Sequence, residues 1–336
     1  MLPVIFGLSG EAITPAERSF FKAADPVGFI LFGRNIRDPQ QVRALTGELR
    51  ALSGRSELPI LIDQEGGRVA RLRPPHWPLF PAAGQFHPLY GVAPASALAA
   101  ARSNALCLAA TLRDVGINVN CAPMLDLLHA GCHDIVGDRS FGADPRQVAA
   151  LGRSMLDGFA AGGIAGVIKH MPGHGRATAD SHVELPRVAA GAESLEADML
   201  PFAALAAQAS MAMTAHVVYT AWDADLPATL SPTVIRDIIR GRIGFDGLLM
   251  TDDIEMHALD GPVPTRASAA LAAGCDVVLH CSGDFNAMTA VAEQIGAISD
   301  AAARRLDHAL GSADVPSDVS ATEAAAHRDA LLALAA

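Results

Sequence analysis

The sequence has no excess of positive charge, no paired-cysteine motif and no basic, apolar leader. Against 25 lysines and arginines stand 36 aspartates and glutamates, for a formal net charge of -11. Such a chain is repelled by nucleic acid and by anionic membrane surfaces, so neither is expected as a partner. Cysteine is scarce and odd in number: Cys107, Cys121, Cys132, Cys275 and Cys281, with no CxxC pair. That argues against a disulfide framework and a structural zinc site, and suits reduced thiols in a cytoplasmic protein. The opening MLPVIFGLSGEAITP carries no basic residue, and its apolar run stops at Leu8. No secretory leader is expected, and no run is read as long enough to span a bilayer.

Two nucleotide signatures are missing as well. LSGEAITP follows the first apolar run where a dinucleotide fold would carry GxGxxG, and GxxxxGK[ST] occurs nowhere. There is no internal repeat and no low-complexity linker.

What is present is an alternation. Eight runs rich in Val, Ile, Leu and Met are spread along the chain: PVIFGL (3–8), VGFILFG (27–33), LPILIDQ (58–64), INVNCAPML (117–125), IAGVIKH (164–170), MAMTAHVVY (211–219), GLLMTDD (247–253) and CDVVLHCS (275–282). Several are continuously apolar, as strands covered on both faces are. Helix signals lie between them. Asp38-Pro39 and Asp144-Pro145 pair an N-cap acid with a proline at the first helical position, opening helices through 52 and 161. The stretch 94–115 ends at Gly116, and further helices are expected over 194–209, 231–240, 265–273 and 284–298, with one or two in the Ala-rich tail. Residues 131–141 and 262–264 read as loops. The pattern predicts an α/β fold: a single (β/α)8 TIM-type barrel over 1–336, with additional C-terminal helices. A doubly wound open sheet uses the same units, but the missing GxGxxG counts against it.

Polar residues gather where the runs end: Asp63, Asp126, Lys169-His170, His216, Asp252-Asp253 and Ser282. In a barrel these positions form the C-terminal rim, where active sites lie. The densest stretch is KHMPGHGRATADSHVELP (169–186). As a metal site it is weak, because Pro172 and Gly173 prevent a regular helix between His170 and His174, and no His-x-His ends the first strand. As a nucleotide loop it lacks the required glycines and lysine. An acid/base reading fits better. In Asp180-Ser181-His182 an extended loop turns both side chains the same way, so Asp180 can fix the imidazole tautomer and stabilise its cation. Asp252, on another strand, is the candidate nucleophile.

LIDQEGGRVARL (61–72), GDRSFG (137–142), KHMPGHG (169–175), DSHVELP (180–186), MTAHVVY (213–219) and MTDDIEM (250–256) together resemble family 3 glycoside hydrolases, and among them the bacterial β-N-acetylhexosaminidases of cell-wall recycling. The resemblance runs through nearly the whole chain in order. It implies a barrel that releases terminal non-reducing β-linked N-acetylglucosamine with retention, acting on small peptidoglycan fragments such as N-acetylglucosamine linked to anhydro-N-acetylmuramic acid. By that resemblance Asp252 is the nucleophile, His182 the acid/base and Asp180 its dyad partner. Asp63, Arg71, Arg139, Lys169 and His170 match sugar-binding positions. No metal or other cofactor, no membrane insertion and a cytoplasmic monomer are expected.

A retaining glycosidase ordinarily uses two carboxyls. A histidine in place of one does not repel an incoming anion, so N-acetylglucosaminide phosphorolysis is an alternative. A metal-dependent barrel hydrolase and a catalytically silent sugar-binding protein are further ones. The chain departs from the family pattern at Met171, at Arg176 (commonly acidic) and at His133-Asp134 (commonly Asn-Pro). No β-sandwich domain like that of larger members is expected, and the Ser-Asp-Trp motif of their β-glucosidases is replaced by Thr251-Asp252-Asp253; both favour N-acetylglucosamine over glucose. Asp253 is expected to point away from Asp252 along a regular strand, and Lys169 and His170 raise the same difficulty. Glu65 is read as a partner of Arg68 or Arg71, and His174 as structural to its loop. Contact of Asp126, His174 and His216 with substrate is left open.

Overall fold

All eight apolar runs contribute a strand to a closed parallel barrel in the computed structural model, which describes residues 1–131, 133–181, 184–311 and 320–335. The strands are β1 (Leu2–Gly7), β2 (Pro26–Leu31), β3 (Ile60–Ile62), β4 (Val119–Asn120), β5 (Ala165–Met171), β7 (Met211–Thr214), β9 (Leu248–Asp253) and β10 (Val277–His280). Their order around the barrel is β1-β10-β9-β7-β5-β4-β3-β2, every pair parallel. The short β6 (Arg187–Val188) and β8 (Val218–Tyr219) pair with each other outside it. The expected barrel therefore holds, and the open sheet does not.

The helices are α1 (Pro15–Ala24), α2 (Pro39–Ser53), α3 (Phe86–Val92), α4 (Pro94–Asp114), α5 (Pro145–Ala161), α6 (Ala192–Leu205), α7 (Val263–Ala273), α8 (Phe285–Gln294), α9 (Asp300–Gly311) and α10 (Ala321–Leu332). Local chemistry sets many of their ends. Asp38 accepts the Gln41 N–H at 2.8 Å, and Asp144 accepts those of Arg146 and Gln147, satisfying donors that the first turn leaves free. Helix α7 starts at Val263, inside the expected 262–264 loop; a proline in a first turn forfeits no intrahelical bond. The stretch expected as a helix over 231–240 is a π-helix, Val234–Arg242. Apolar spacing does not distinguish i→i+4 from i→i+5 hydrogen bonding, so that difference was not legible.

Inside the barrel, Ile5, Ile30, Leu61, Val119, Val167, Met211, Leu248 and Val277 form one cluster, joined by Leu306 and Ala309 of α9. One of the extra C-terminal helices is thus part of the inner packing. The other, α10, returns to α4, where Arg328 donates to Asn104 Oδ1 at 3.1 Å and His327 Nδ1 lies 2.9 Å from Ser103 Oγ. Contrary to expectation, α4 is by length and composition able to cross a bilayer, with 21 residues; but 61% of its apolar window is buried, against α5 and α10 among others. Its apolarity is that of a core helix. Four of the five cysteines, Cys107, Cys121, Cys275 and Cys281, are free and buried; Cys132 lies outside the described residues.

Candidate active site

The C-terminal ends of the strands surround a cavity of about 280 Å³, lined by Asp63, Arg139, Lys169, His170, Asp252 and Asp253 among others. The expected site residues that the structure describes converge here, apart from Asp180, which is half-buried and precedes the buried Ser181 of the lining. His182, expected to act as acid/base, lies outside the described residues.

One wall is a chain of ion pairs. Arg71 Nη2 lies 3.1 Å from Asp63 Oδ2, and Lys169 Nζ sits 3.0 Å from Asp63 Oδ1 and 2.7 Å from Glu65 Oε1. Glu65 in turn takes both prongs of Arg139, Nε at 2.9 Å and Nη2 at 2.8 Å. Glu65 is therefore the partner of Arg139 and Lys169, not of Arg68 or Arg71 as its sequence neighbourhood suggested. Arg68 instead pairs with Asp134 and Asp138. Burial alone would raise the carboxyls of Asp63 and Glu65, but the adjacent cations outweigh it and hold both below their ordinary range. Burial would likewise lower Lys169, yet Glu65 and Asp63 keep its ammonium charged. The wall thus presents fixed, ionised hydrogen-bonding groups suited to orienting hydroxyls.

The second wall is built on Asp126, which lies after β4 and is 1% exposed. Its Oδ2 is 2.7 Å from His170 Nδ1, while Oδ1 accepts the backbone N–H of His170 at 3.2 Å and of His174 at 2.7 Å. The carboxylate fixes the His170 proton on Nδ1 and aims Nε2 at Asp252 Oδ2, 3.8 Å away. The sequence leaves the role of Asp126 open; in the structure it orients His170 and caps the turn that follows. His174 lines the cavity and places Nε2 3.3 Å from Ser181 Oγ. Burial pushes its imidazole down to about 4, so it is neutral near pH 7.

Asp252 stands at the end of β9. Burial would raise its carboxyl, but His170, His216, the Asp253 N–H on Oδ1 at 2.8 Å and Lys169 bring it down to about 2. Asp253, expected on the opposite face, lines the same cavity. The β9–β10 register shifts between Val277 and Leu279, and such an irregularity re-aims side chains that strict alternation would separate. A comparable shift in β5–β7 between Ile168 and Met171 accompanies the convergence of Lys169 and His170, whose peptide bond is cis. Asp253 Oδ1 accepts the N–H groups of Glu255 at 3.1 Å and Cys281 at 3.3 Å. Burial, with the nearby Glu255 and Asp252 charges, nevertheless raises its carboxyl to about 7. His216 is buried behind the cavity: Nε2 donates to the Asp253 carbonyl at 2.9 Å and Nδ1 faces Thr229 Oγ1 at 2.7 Å. It braces the end of β9 from behind.

The ionised carboxylate of Asp252 therefore faces the cavity beside the raised carboxyl of Asp253, opposite a wall of paired cations and carboxylates. That arrangement can hold a polyhydroxylated ring and attack its electrophilic carbon. Among the described residues no three His, Cys, Asp or Glu side chains are grouped to hold a metal ion.

Residues 10–310 match the family model described as the glycosyl hydrolase family 3 N terminal domain. A beta-hexosaminidase of Alkalilimnicola ehrlichii is 42% identical over 284 residues, 83% of this chain and 80% of its own. One from Pseudomonas aeruginosa is 38% identical over 301 residues, 86% of this chain and 85% of its own. NagZ from Neisseria gonorrhoeae, in complex with N-trifluoroacetyl-D-glucosamine, superposes with a TM-score of 0.86 at 29% identity, covering 99% of this chain and 98% of that one.

Proposed function

Because the chain belongs to glycosyl hydrolase family 3 and is a glycoside hydrolase, we propose that it is a retaining exo-β-N-acetylglucosaminidase acting on small peptidoglycan fragments. The observation that carries this reading is Asp252: a carboxylate kept ionised, down to about 2, within a cavity of about 280 Å³. A cavity of that size suits one terminal sugar, with the rest of the substrate outside. N-trifluoroacetyl-D-glucosamine, the ligand of the Neisseria protein, is an acylated 2-amino sugar of the same class.

Asp252 attacks the anomeric carbon while His182, paired with Asp180, gives its proton to the departing oxygen. The C–O bond to the aglycone breaks and a glycosyl ester on Asp252 forms. His182, now neutral, takes a proton from water, whose oxygen displaces Asp252 and restores the configuration. Asp63, Arg71, Arg139, Lys169 and His170 hold the sugar hydroxyls, binding that orients the ring for attack. The chemistry calls for no metal. Free, buried thiols suit a reducing compartment, and we place the enzyme's work in the cytoplasm.

The experiment is chromophore release from an aryl β-N-acetylglucosaminide, with chelator present, for the wild type and Asp252→Ala. Turnover by the wild type and a loss of about 10⁴-fold in the variant are expected. Activity that appears only after adding a divalent metal sinks the metal-free mechanism; a silent wild type that still binds N-acetylglucosamine makes it a binding protein. Repeating the assay in phosphate buffer and looking for sugar 1-phosphate separates hydrolysis from phosphorolysis.

A further inference from the structure

Behind the cavity, Asp198 of α6 is a carboxylate only 2% exposed that lines neither the cavity nor its mouth. Its two oxygens take partners from two different loops. His129 Nε2, from the loop after β4, lies 2.7 Å from Oδ1, and Arg176 Nε, from the segment after β5, lies 2.6 Å from Oδ2. Arg176 Nη2 also donates to the Ser194 carbonyl in the first turn of α6 at 3.0 Å. One guanidinium therefore binds the segment after β5 to α6 at two points in a fixed fork, which a lysine would not reproduce.

The same segment lies directly on Asp198. Gly173 has φ of +135°, and a Cβ there would stand 2.9 Å from Asp198 Cβ, so only glycine permits the approach. Three further bonds hold the segment: Tyr219 Oη to the Gly173 carbonyl at 2.9 Å, the His174 N–H to Asp126 at 2.7 Å, and the His133 N–H to the Ala177 carbonyl at 3.0 Å. Arg176 is the one charged side chain of residues 173–177 that reaches into a buried carboxylate. Asp180 follows it by four positions, and Ser181 is buried, with Oγ facing His174 and its carbonyl accepting the Ala258 N–H at 3.2 Å. The fixed root of this segment is thus set from outside the cavity.

We propose that Arg176, held by Asp198, is a positioning residue for proton transfer: it sets the root from which the Asp180–His182 segment extends, and it acts on the acid/base step rather than on sugar binding. This rests on the reading of His182 as acid/base. Removal of the guanidinium takes one partner from the buried Asp198 carboxylate, and the segment loses the two hydrogen bonds by which Arg176 ties it to α6.

The test compares two aryl β-N-acetylglucosaminides, one with a dinitrophenol leaving group and one with phenol, on Arg176→Ala, Asp198→Asn and His182→Ala. Departure of dinitrophenolate needs no proton, whereas departure of phenolate does. Arg176→Ala is expected to lose about 100-fold in kcat/KM on the phenyl glycoside, the scale of a catalytic group displaced by about 1 Å. Its kcat/KM on the dinitrophenyl glycoside should change only a few-fold, with kcat and KM falling together because slowed deglycosylation lets the glycosyl-enzyme accumulate. Added azide should restore turnover of the dinitrophenyl glycoside. Azide displaces Asp252 from the anomeric carbon without a base, releasing glycosyl azide and the free carboxylate. Equal loss on both glycosides, or none on either, overturns the proposal. If Arg176→Ala does not fold, Asp198→Asn carries the same comparison, because it keeps the shape and removes the charge that holds the guanidinium. His182→Ala separates the two levels. Indifference of that variant to the leaving group sinks the acid/base reading itself; the expected dependence in His182→Ala with none in Arg176→Ala sinks only the role of Arg176.

Discussion

Asp126 and His170 form a hydrogen bond of 2.7 Å between Oδ2 and Nδ1, and the other face of the same imidazole looks at Asp252 from 3.8 Å. The carboxylate of Asp126 is 1% exposed and also holds two backbone N–H groups, so it cannot rotate away from the ring without abandoning both. Through this bond, a buried carboxylate of the cavity lining fixes the imidazole that faces Asp252.

Asp126→Asn tests that relationship. Asn Oδ1 can keep the backbone bonds, but Nδ2 meets a ring nitrogen that already carries the proton, so the imidazole must turn or change tautomer. We expect kcat/KM to fall by about 100-fold, as for a displaced catalytic-site group, with the fold retained by circular dichroism. Activity within three-fold of the wild type, about 0.6 kcal/mol, would mean that the orientation of His170 is held by something else.

Glu65→Gln tests the ion-pair wall. Both cations on Glu65 are buried, with side-chain exposures of 3% for Lys169 and 11% for Arg139, so its charge has little water to replace it. Removing one partner of a buried pair typically costs about 3 kcal/mol, since the remaining charges stay desolvated. A loss of that size in unfolding free energy, from urea denaturation at neutral pH, is expected. The sign with pH follows from the direction: folding lowers the Glu65 carboxyl below its ordinary 4.5, so its contribution is full above that value and is lost as the pH falls. The gap between variant and wild type should therefore narrow in acid; a gap that widens there contradicts the pairing.

Asp253→Asn has the opposite sign. The folded protein raises this carboxyl from 3.8 to about 7, so between those values it holds a proton that the unfolded chain has released. The contribution of Asp253 is full below 3.8 and is lost as the pH rises through 7. Asparagine imitates the protonated acid, and Oδ1 still accepts from Glu255 and Cys281. Melting temperatures at pH 5 and pH 8 should thus show the variant gaining on the wild type at the higher pH. His174 and His216 titrate in both proteins and cancel in the difference. A difference that stays constant between the two pH values would place Asp253 outside the buried environment described.

Much of this protein is decided locally and was therefore open to reading along the chain. Continuous apolar runs such as ILI and VVLH specify strands because both faces are to be covered, and Asp38-Pro39 and Asp144-Pro145 start helices through bonds made within one turn. The barrel and the gathering of polar residues at its rim follow from that alternation, and the family is carried by short motifs such as KHMPGHG and DSH. What the tertiary structure alone decided is partnership across loops. Glu65 meets Arg139 across 74 residues and Asp126 meets His170 across 44, separations over which neighbouring sequence carries no signal. Nor does alternation along β9 predict that Asp253 joins Asp252, because the shift in pairing that aims it arises between two strands and is a property of neither alone. Barrel closure sets those distances, and burial then sets which carboxyls are ionised.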